Sequence, residues 1–289
     1  MTDRLYSDCF YTSDDGLRLH YRDYIPFNNQ TPKATYLCMP GLTRNANDFI
    51  IIAEFLQSQN CRVICAEQRG RGDSQWDENT ANYIPDVYVK DMFKLVEEEL
   101  HTPEDLYLIG TSLGGLMSIM MNAMRPGLIK GIIINDMGME VNQKGLDRIK
   151  SYVGVDVDIK TWDDAIREVK RSNTVVYPNY TDAEWDHFTR LLYVEKDGIP
   201  TANYDPAIGE NLNNDTETAA PTLWPLMDSL KTVPLVIIRG ALSDILSHDV
   251  AEKMQEIHPD MTLVTVPDVG HCPTFSTAAE QSAILNILI

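Results

Sequence analysis

Residues 110–115 read GTSLGG, a G-x-S-x-G pattern with a further glycine behind it. A serine in such a turn has two uses. Its hydroxyl can cap the following helix, or it can stand clear of the backbone as a nucleophile. The surroundings point to the second use. An apolar, strand-like run (105–109, DLYLI) ends directly before the turn, and an apolar, helix-like run (113–124) starts directly after Ser112. A strand-to-helix turn this sharp forces one residue into strained backbone, and the small residues at 110, 114 and 115 leave room for it. The helix N-terminus would then aim N–H groups at the place where the hydroxyl stands.

A nucleophilic serine needs a base, and the base needs an acid. His271, in PDVGHCPT, follows the strand-like run MTLVTV and suits the role of base. Asp244, in RGALSDIL, follows the run LVIIRG and precedes His271, so the chain order is Ser112, Asp244, His271. That order makes Asp244 the expected acid. Asp136 closes the run GIIIND and reaches the same sheet edge, so it stands as the alternate acid. Asp268 is nearer His271 in sequence, but VPDVG reads as a turn. His20, His101, His187, His248 and His258 fall in strand-like, helical or insertion contexts and are read as non-catalytic. The segment MPGLTRNANDF (39–49) follows another strand-like run. The N–H of Leu42 there, with that of Leu113, would make an oxyanion hole. Asn45 or Asn47 would cap the helix that follows.

The elements that must hold these residues alternate. A hairpin is expected in the first two dozen residues, with LRLHYRDYI as one strand. Strands are expected at 34–39, 61–67, 105–110, 128–136, 233–240 and 261–266, and helices at 47–59, 85–100, 113–124, 248–257 and 276–288. Strict alternation predicts an α/β fold, a mostly parallel sheet with helices on both faces. In such sheets ligands bind beyond the carboxyl ends of the strands, where Ser112, Asp136, Asp244 and His271 all fall. Residues 138–230 break the alternation. They are rich in Tyr, Trp, Asn and Asp, with helical stretches and no strong strand. They read as a cap inserted between two parts of a core, 1–137 and 231–289.

Taken together, these stretches resemble the α/β-hydrolase superfamily over residues 5–288. DGLRLHYRDY is similar to that family's early strand pair, and EQRGRGDS (67–74) to its D-x-R-G-x-G-x-S turn, with Glu67 in place of the aspartate. GTSLGG is similar to its nucleophile elbow and GHCPT to its histidine loop. PGL stands where a His-Gly pair is common, which alters how the oxyanion loop is anchored but leaves its N–H donor. The resemblance implies a sheet of about eight strands and acyl transfer through a serine acyl-enzyme, with no metal or organic cofactor. It also allows the acid to follow the strand that Asp136 ends. The implied activity is that of a carboxylic ester hydrolase acting on a small ester, thioester or lactone. The alternatives are a carbon–carbon bond hydrolase of a ring-cleavage pathway and a small-molecule receptor with a slow triad.

Arg44, beside the oxyanion loop, is a candidate to bind a substrate carboxylate. Trp162, Trp185 and Trp224 are candidates to line an apolar pocket. The formal charge of −19 argues against nucleic acid and anionic membranes as partners. The start lacks the apolar stretch of a secretory leader, and no apolar run is long enough to span a bilayer, so a cytoplasmic location is expected. Five cysteines without a C-x-x-C pair give no sign of a zinc site; Cys38 and Cys65 read as buried small side chains.

Overall fold

The apolar runs become the interior of one eight-stranded sheet. The computed structural model describes residues 5–27, 31–214 and 222–288. Residues 1–4, 28–30 and 289, and residues 215–221 of the expected cap, lie outside these. The chain begins with an antiparallel hairpin, β1 (Ser7–Thr12) and β2 (Arg18–Tyr24). β3 (Thr35–Met39), α1 (Ile50–Ser58), β4 (Arg62–Ala66), α2 (Pro85–Lys94), β5 (Leu106–Thr111), α3 (Leu113–Met124) and β6 (Gly131–Asn135) follow. Next come α4 (Gln143–Lys150), α5 (Trp162–Asn173), α6 (Asp182–Leu192), a hairpin of β7 (Tyr193–Lys196) and β8 (Ile199–Ala202), α7 (Ile208–Asn214) and α8 (Met227–Leu230). The chain then returns to the sheet with β9 (Leu235–Gly240), α9 (His248–Ile257), β10 (Met261–Val266) and α10 (Ala278–Asn286).

The strand order is β1-β2-β4-β3-β5-β6-β9-β10. All pairings from β4 through β10 are parallel, and β2 is antiparallel to both its neighbours. Every residue of β3, β5, β6 and β9 is buried, as strands covered on both faces must be. One face packs on α1 and α10 through Ile52, Leu56 and Ile284. The other packs on α2, α3, α8 and α9 through Met92, Met117, Met121, Leu230 and Met254. Cys38 and Cys65 are paired neighbours on β3 and β4, both fully buried. No described helix is long and apolar enough to cross a membrane.

Two local expectations change. The helix foreseen over 85–100 keeps α geometry only to Lys94 and widens into a single π-type turn over Leu95–Glu99. The segment between β6 and β9, expected to hold no strong strand, contains the short β7–β8 hairpin. Its turn is Asp197-Gly198, both with positive φ (51° and 80°), the backbone that a two-residue hairpin turn demands.

Candidate active site

Ser112 sits between β5 and α3 with φ 52° and ψ −110°, a conformation disfavoured for a side-chain-bearing residue. The turn is possible because its neighbours lack side chains. A Cβ on Gly114 would lie 1.9 Å from the Met39 carbonyl oxygen, and one on Gly110 would lie 2.2 Å from that of Gly114. The Ser112 hydroxyl makes no capping bond to α3. It meets His271 instead, with Oγ 2.9 Å from Nε2. His271 Nδ1 lies 2.7 Å from Oδ2 of Asp136. A carboxylate there draws the imidazole proton to Nδ1 and leaves Nε2 free to accept from the serine.

Asp136 directly follows β6 and is fully buried, with φ 57°. Its Oδ1 accepts from the backbone N–H of Gly240 at 2.9 Å, and its Oδ2 from the hydroxyl of Ser243. Ser243 is itself fixed, because the N–H groups of Ile245 and Leu246 donate to its Oγ at 3.1 and 3.0 Å. The carboxylate therefore presents one orientation to His271.

Asp244, the expected acid, does not bond to the imidazole. Arg148 on α4 donates to both its oxygens, from Nε at 2.6 Å and Nη2 at 2.9 Å. Burial works to raise the Asp244 carboxyl, but the bonds and charge of Arg148, with His271 nearby, hold it below the usual range. Asp136 and Asp244 leave the same edge from neighbouring strands, and the side chain from β6 is the one that reaches His271. Asp244 serves to fasten α4 to the loop after β9.

The histidine loop is held from two sides. The Gly270 N–H donates to the Val176 carbonyl at 2.7 Å, and the Tyr177 hydroxyl donates to the Cys272 carbonyl at 2.8 Å. Below, Asn135 Nδ2 donates to the Pro273 carbonyl at 2.9 Å. Residues 176 and 177 belong to the β6–β9 segment, so that segment helps set where the imidazole stands.

The loop after β3, the candidate for an oxyanion donor, approaches Ser112 from β3. A Cβ on Gly41 would lie 3.7 Å from Cβ of Ser112, so Leu42 follows immediately beside Ser112. Leu113, the first residue of α3, follows Ser112 directly in the chain. The loop's anchor is Arg71, which the sequence reading did not single out. Fully buried, it donates from Nε to the Leu42 carbonyl at 2.8 Å and from Nη1 to the Arg69 carbonyl and the Tyr88 hydroxyl. Glu67 holds the next stretch: its carboxylate accepts from the N–H groups of Ala46 (3.0 Å) and Asp73 (2.7 Å) and meets His20 Nδ1 at 2.9 Å. Asn45 caps the short helical turn that leads into α1. Replacing Arg71 with Met should release the Leu42 carbonyl and misplace the N–H beside it. An oxyanion donor is worth about 10²–10³ in rate, so we expect kcat to fall by about tenfold or more with little change in KM. Arg71→Lys should restore part of the loss. A variant that folds and keeps full kcat would show that the loop holds without it.

Arg44 lines the cavity over Ser112. Its Nε donates to Asp48 at 2.8 Å, Nη2 also bonds Asp48, and the guanidinium lies 4.8 Å from the Phe188 ring centroid. Burial opposes its charge, yet Asp48 outweighs burial and keeps Arg44 above its usual range. The three tryptophans lie elsewhere. Trp185 is buried in an aromatic cluster with Tyr177, Tyr180 and Phe188. Trp162 bonds Glu195 and lies under Arg190; Trp224 bonds Glu140 and lies under Lys253. The aromatic rings that do line the cavity are Tyr152, Tyr177 and Phe188. His258 is buried with Nε2 on the Leu230 carbonyl, and His248 opens α9. Among the described residues, one group has ligand atoms close enough for a metal ion: Asp8, His20 and Asp73. It includes no residue of the Ser112 site, and its His20 is already held between Glu67 and Asp8.

A family model of the alpha/beta hydrolase fold matches residues 37–277. An alpha/beta hydrolase of Novosphingobium aromaticivorans, known from its crystal structure, is 39% identical; the match covers 98% of each chain with a TM-score of 0.89. The 3-hydroxybutyrate-oligomer hydrolase of Cupriavidus necator is 27% identical, over 91% of this chain and 90% of that protein. The 2-(acetamidomethylene)succinate hydrolase of Mesorhizobium japonicum is 24% identical, over 80% of this chain and 79% of that protein.

Proposed function

Because the chain belongs to the α/β-hydrolase family, we propose that it is a serine hydrolase of small carboxylic esters, with a preference for esters of hydroxy acids that keep a free carboxylate. One observation carries this reading: the unbroken chain of hydrogen bonds from Ser112 through His271 to Asp136. The likeness to a hydrolase of hydroxybutyrate oligomers supports the ester, and Arg44 beside the nucleophile supports the carboxylate.

In this mechanism Ser112 Oγ attacks the acyl carbon as His271 Nε2 takes its proton. Asp136 steadies the imidazolium through Nδ1–H. The N–H groups of Leu42 and Leu113 receive the oxyanion. The intermediate collapses, the ester C–O bond breaks, and His271 returns the proton to the leaving alcohol. Water, deprotonated by His271, then attacks the acyl-serine; the bond to Ser112 Oγ breaks, His271 returns the proton to that oxygen, and the acid is released. The segment 138–230 acts as a cap, closing over Ser112 with Tyr152, Tyr177 and Phe188.

The test is hydrolysis of the linear dimer of 3-hydroxybutyrate beside its methyl ester. The native chain should cleave the free acid with higher kcat/KM than the methyl ester, and Arg44→Met should erase that preference. Equal cleavage of both by the native chain would overturn the role of the carboxylate. Cleavage of neither, nor of any simple ester, would overturn the esterase.

A further inference from the structure

The cavity that contains Ser112 and His271 has a volume of about 90 Å³. Two larger cavities flank it, of about 420 Å³ and about 430 Å³. The first shares Arg44, Thr111, Tyr177, Phe188 and Cys272 with the central one. The second shares Thr43, Tyr152, Asn173 and Leu192 with it. The flanking cavities have no lining residue in common. Ser112 therefore stands at a narrow middle, with about a fifth of the space of either neighbour, and a substrate larger than a simple acetate must reach into the sides.

We propose that the two flanking cavities hold the two sides of the scissile ester, the leaving alcohol in the first and the acyl chain in the second, so that the substrate is a linear ester extended on both sides of the bond with its free carboxylate on the alcohol side. The proposal rests on the serine-hydrolase reading and adds direction to it. Direction follows from the proton. The leaving oxygen must lie next to His271 Nε2, which protonates it. The chain directly after His271, Cys272 through Phe275, walls the first cavity, and none of it walls the second.

Charge gives the same direction. The first cavity carries Arg44 and His187 along with the carboxylates of Asp48 and Glu184. The second carries Asp156 and Glu168, of which Glu168 is bonded by Arg171, and has no basic side chain in its lining. An anionic end meets no cation in that lining, whereas a neutral chain can lie against Trp76, Tyr193 and Tyr204. In the first cavity the stacked rings of Tyr177 and Tyr180, 4.4 Å apart, and Phe188 form the apolar wall leading to Arg44. On a hydroxy-acid oligomer this arrangement makes the fragment with the free carboxyl end the leaving alcohol, and the remaining oligomer the acyl group on Ser112.

Two ester series separate the sides. Alkyl acetates from ethyl to octyl lengthen only the alcohol, and ethyl alkanoates from acetate to octanoate lengthen only the acyl chain. Ala183 lines the first cavity and Ala202 the second. In Ala183→Trp, the ratio of kcat/KM for octyl acetate over ethyl acetate should fall by about tenfold or more, with the acyl ratio little changed. In Ala202→Trp, the ratio for ethyl octanoate over ethyl acetate should fall by a similar factor, with the alcohol ratio little changed. A steric misfit of this kind is worth about 10–200-fold. Each ratio is internal to one variant, so partial loss of folded protein cancels; if a tryptophan is not tolerated, Ala183→Leu and Ala202→Leu carry the same comparison. A reversed pattern, or ratios that do not move, would overturn the assignment and leave the esterase standing. A native chain that cleaves neither series would overturn both.

Discussion

Asp136→Asn should lower kcat on a small ester by about 10⁴-fold, the size of effect seen when a triad carboxylate becomes an amide. The side chain keeps its shape, so the fold should survive. Gly240 N–H donates to Oδ1, and the amide oxygen will stay with that donor, which puts the NH₂ at the Oδ2 position, where the Ser243 hydroxyl can turn to accept from it. The amide NH₂ then faces His271 Nδ1, which must give up its proton to accept. The proton moves to Nε2, where the imidazole can no longer take one from Ser112. Asp244→Asn should behave differently. It removes the charge and one of the two oxygens that accept from Arg148, at a cost to stability of about 1–3 kcal/mol for charge-assisted bonds, while kcat stays within about tenfold because Asp244 makes no bond to His271. Steady-state kinetics and thermal unfolding on both variants decide it. If Asp244→Asn were the inactive one, the orientation of His271 described above would be wrong.

Ser112→Ala should lose about 10⁶-fold in kcat, as expected when the nucleophile of a triad is removed. Its fold should be unchanged, because alanine meets the same strain at φ 52°. Ser112→Gly should be equally inactive but more stable than Ser112→Ala by about 1 kcal/mol, since glycine adopts positive φ without penalty. The pair thus separates the two consequences of the elbow, chemistry from the hydroxyl and strain from the backbone. Equal stability of the two variants, read from denaturant midpoints, would mean that the turn stores no strain.

The parallel core was legible because its strands are buried on both faces and so appear as unbroken apolar runs, such as LYLI in β5 and GIIIN in β6. Ser112 and His271 were legible because each follows such a run. The acid was not, for a geometric reason. β6 and β9 are neighbours in the sheet, so Asp136 and Asp244 both arrive at the same edge, and both stand between Ser112 and His271 in the chain, so order does not choose between them. What separates them is a positive φ at Asp136, donors from Gly240 and Ser243, and an arginine reaching Asp244 from α4. None of these is a property of local sequence. Arg71 is hidden for the same reason: its partner, the Leu42 carbonyl, lies 29 positions away. The tryptophans were candidates by residue type alone, with packing as the other use of their rings: the rings over Ser112 are tyrosines and a phenylalanine, and Trp185 packs behind them. The β7–β8 hairpin had a signal in Asp197-Gly198 that the polar composition around it obscured.

The central claim is that His271 makes Ser112 a nucleophile. The most direct measurement is labelling with a fluorophosphonate, followed by peptide mapping by mass spectrometry, on the native chain and on His271→Ala. One phosphonate on Ser112 in the native chain, and loss of that label in His271→Ala, is the predicted result. A native chain that hydrolyses esters while Ser112 stays unmodified, or carries the label on another residue, would contradict it.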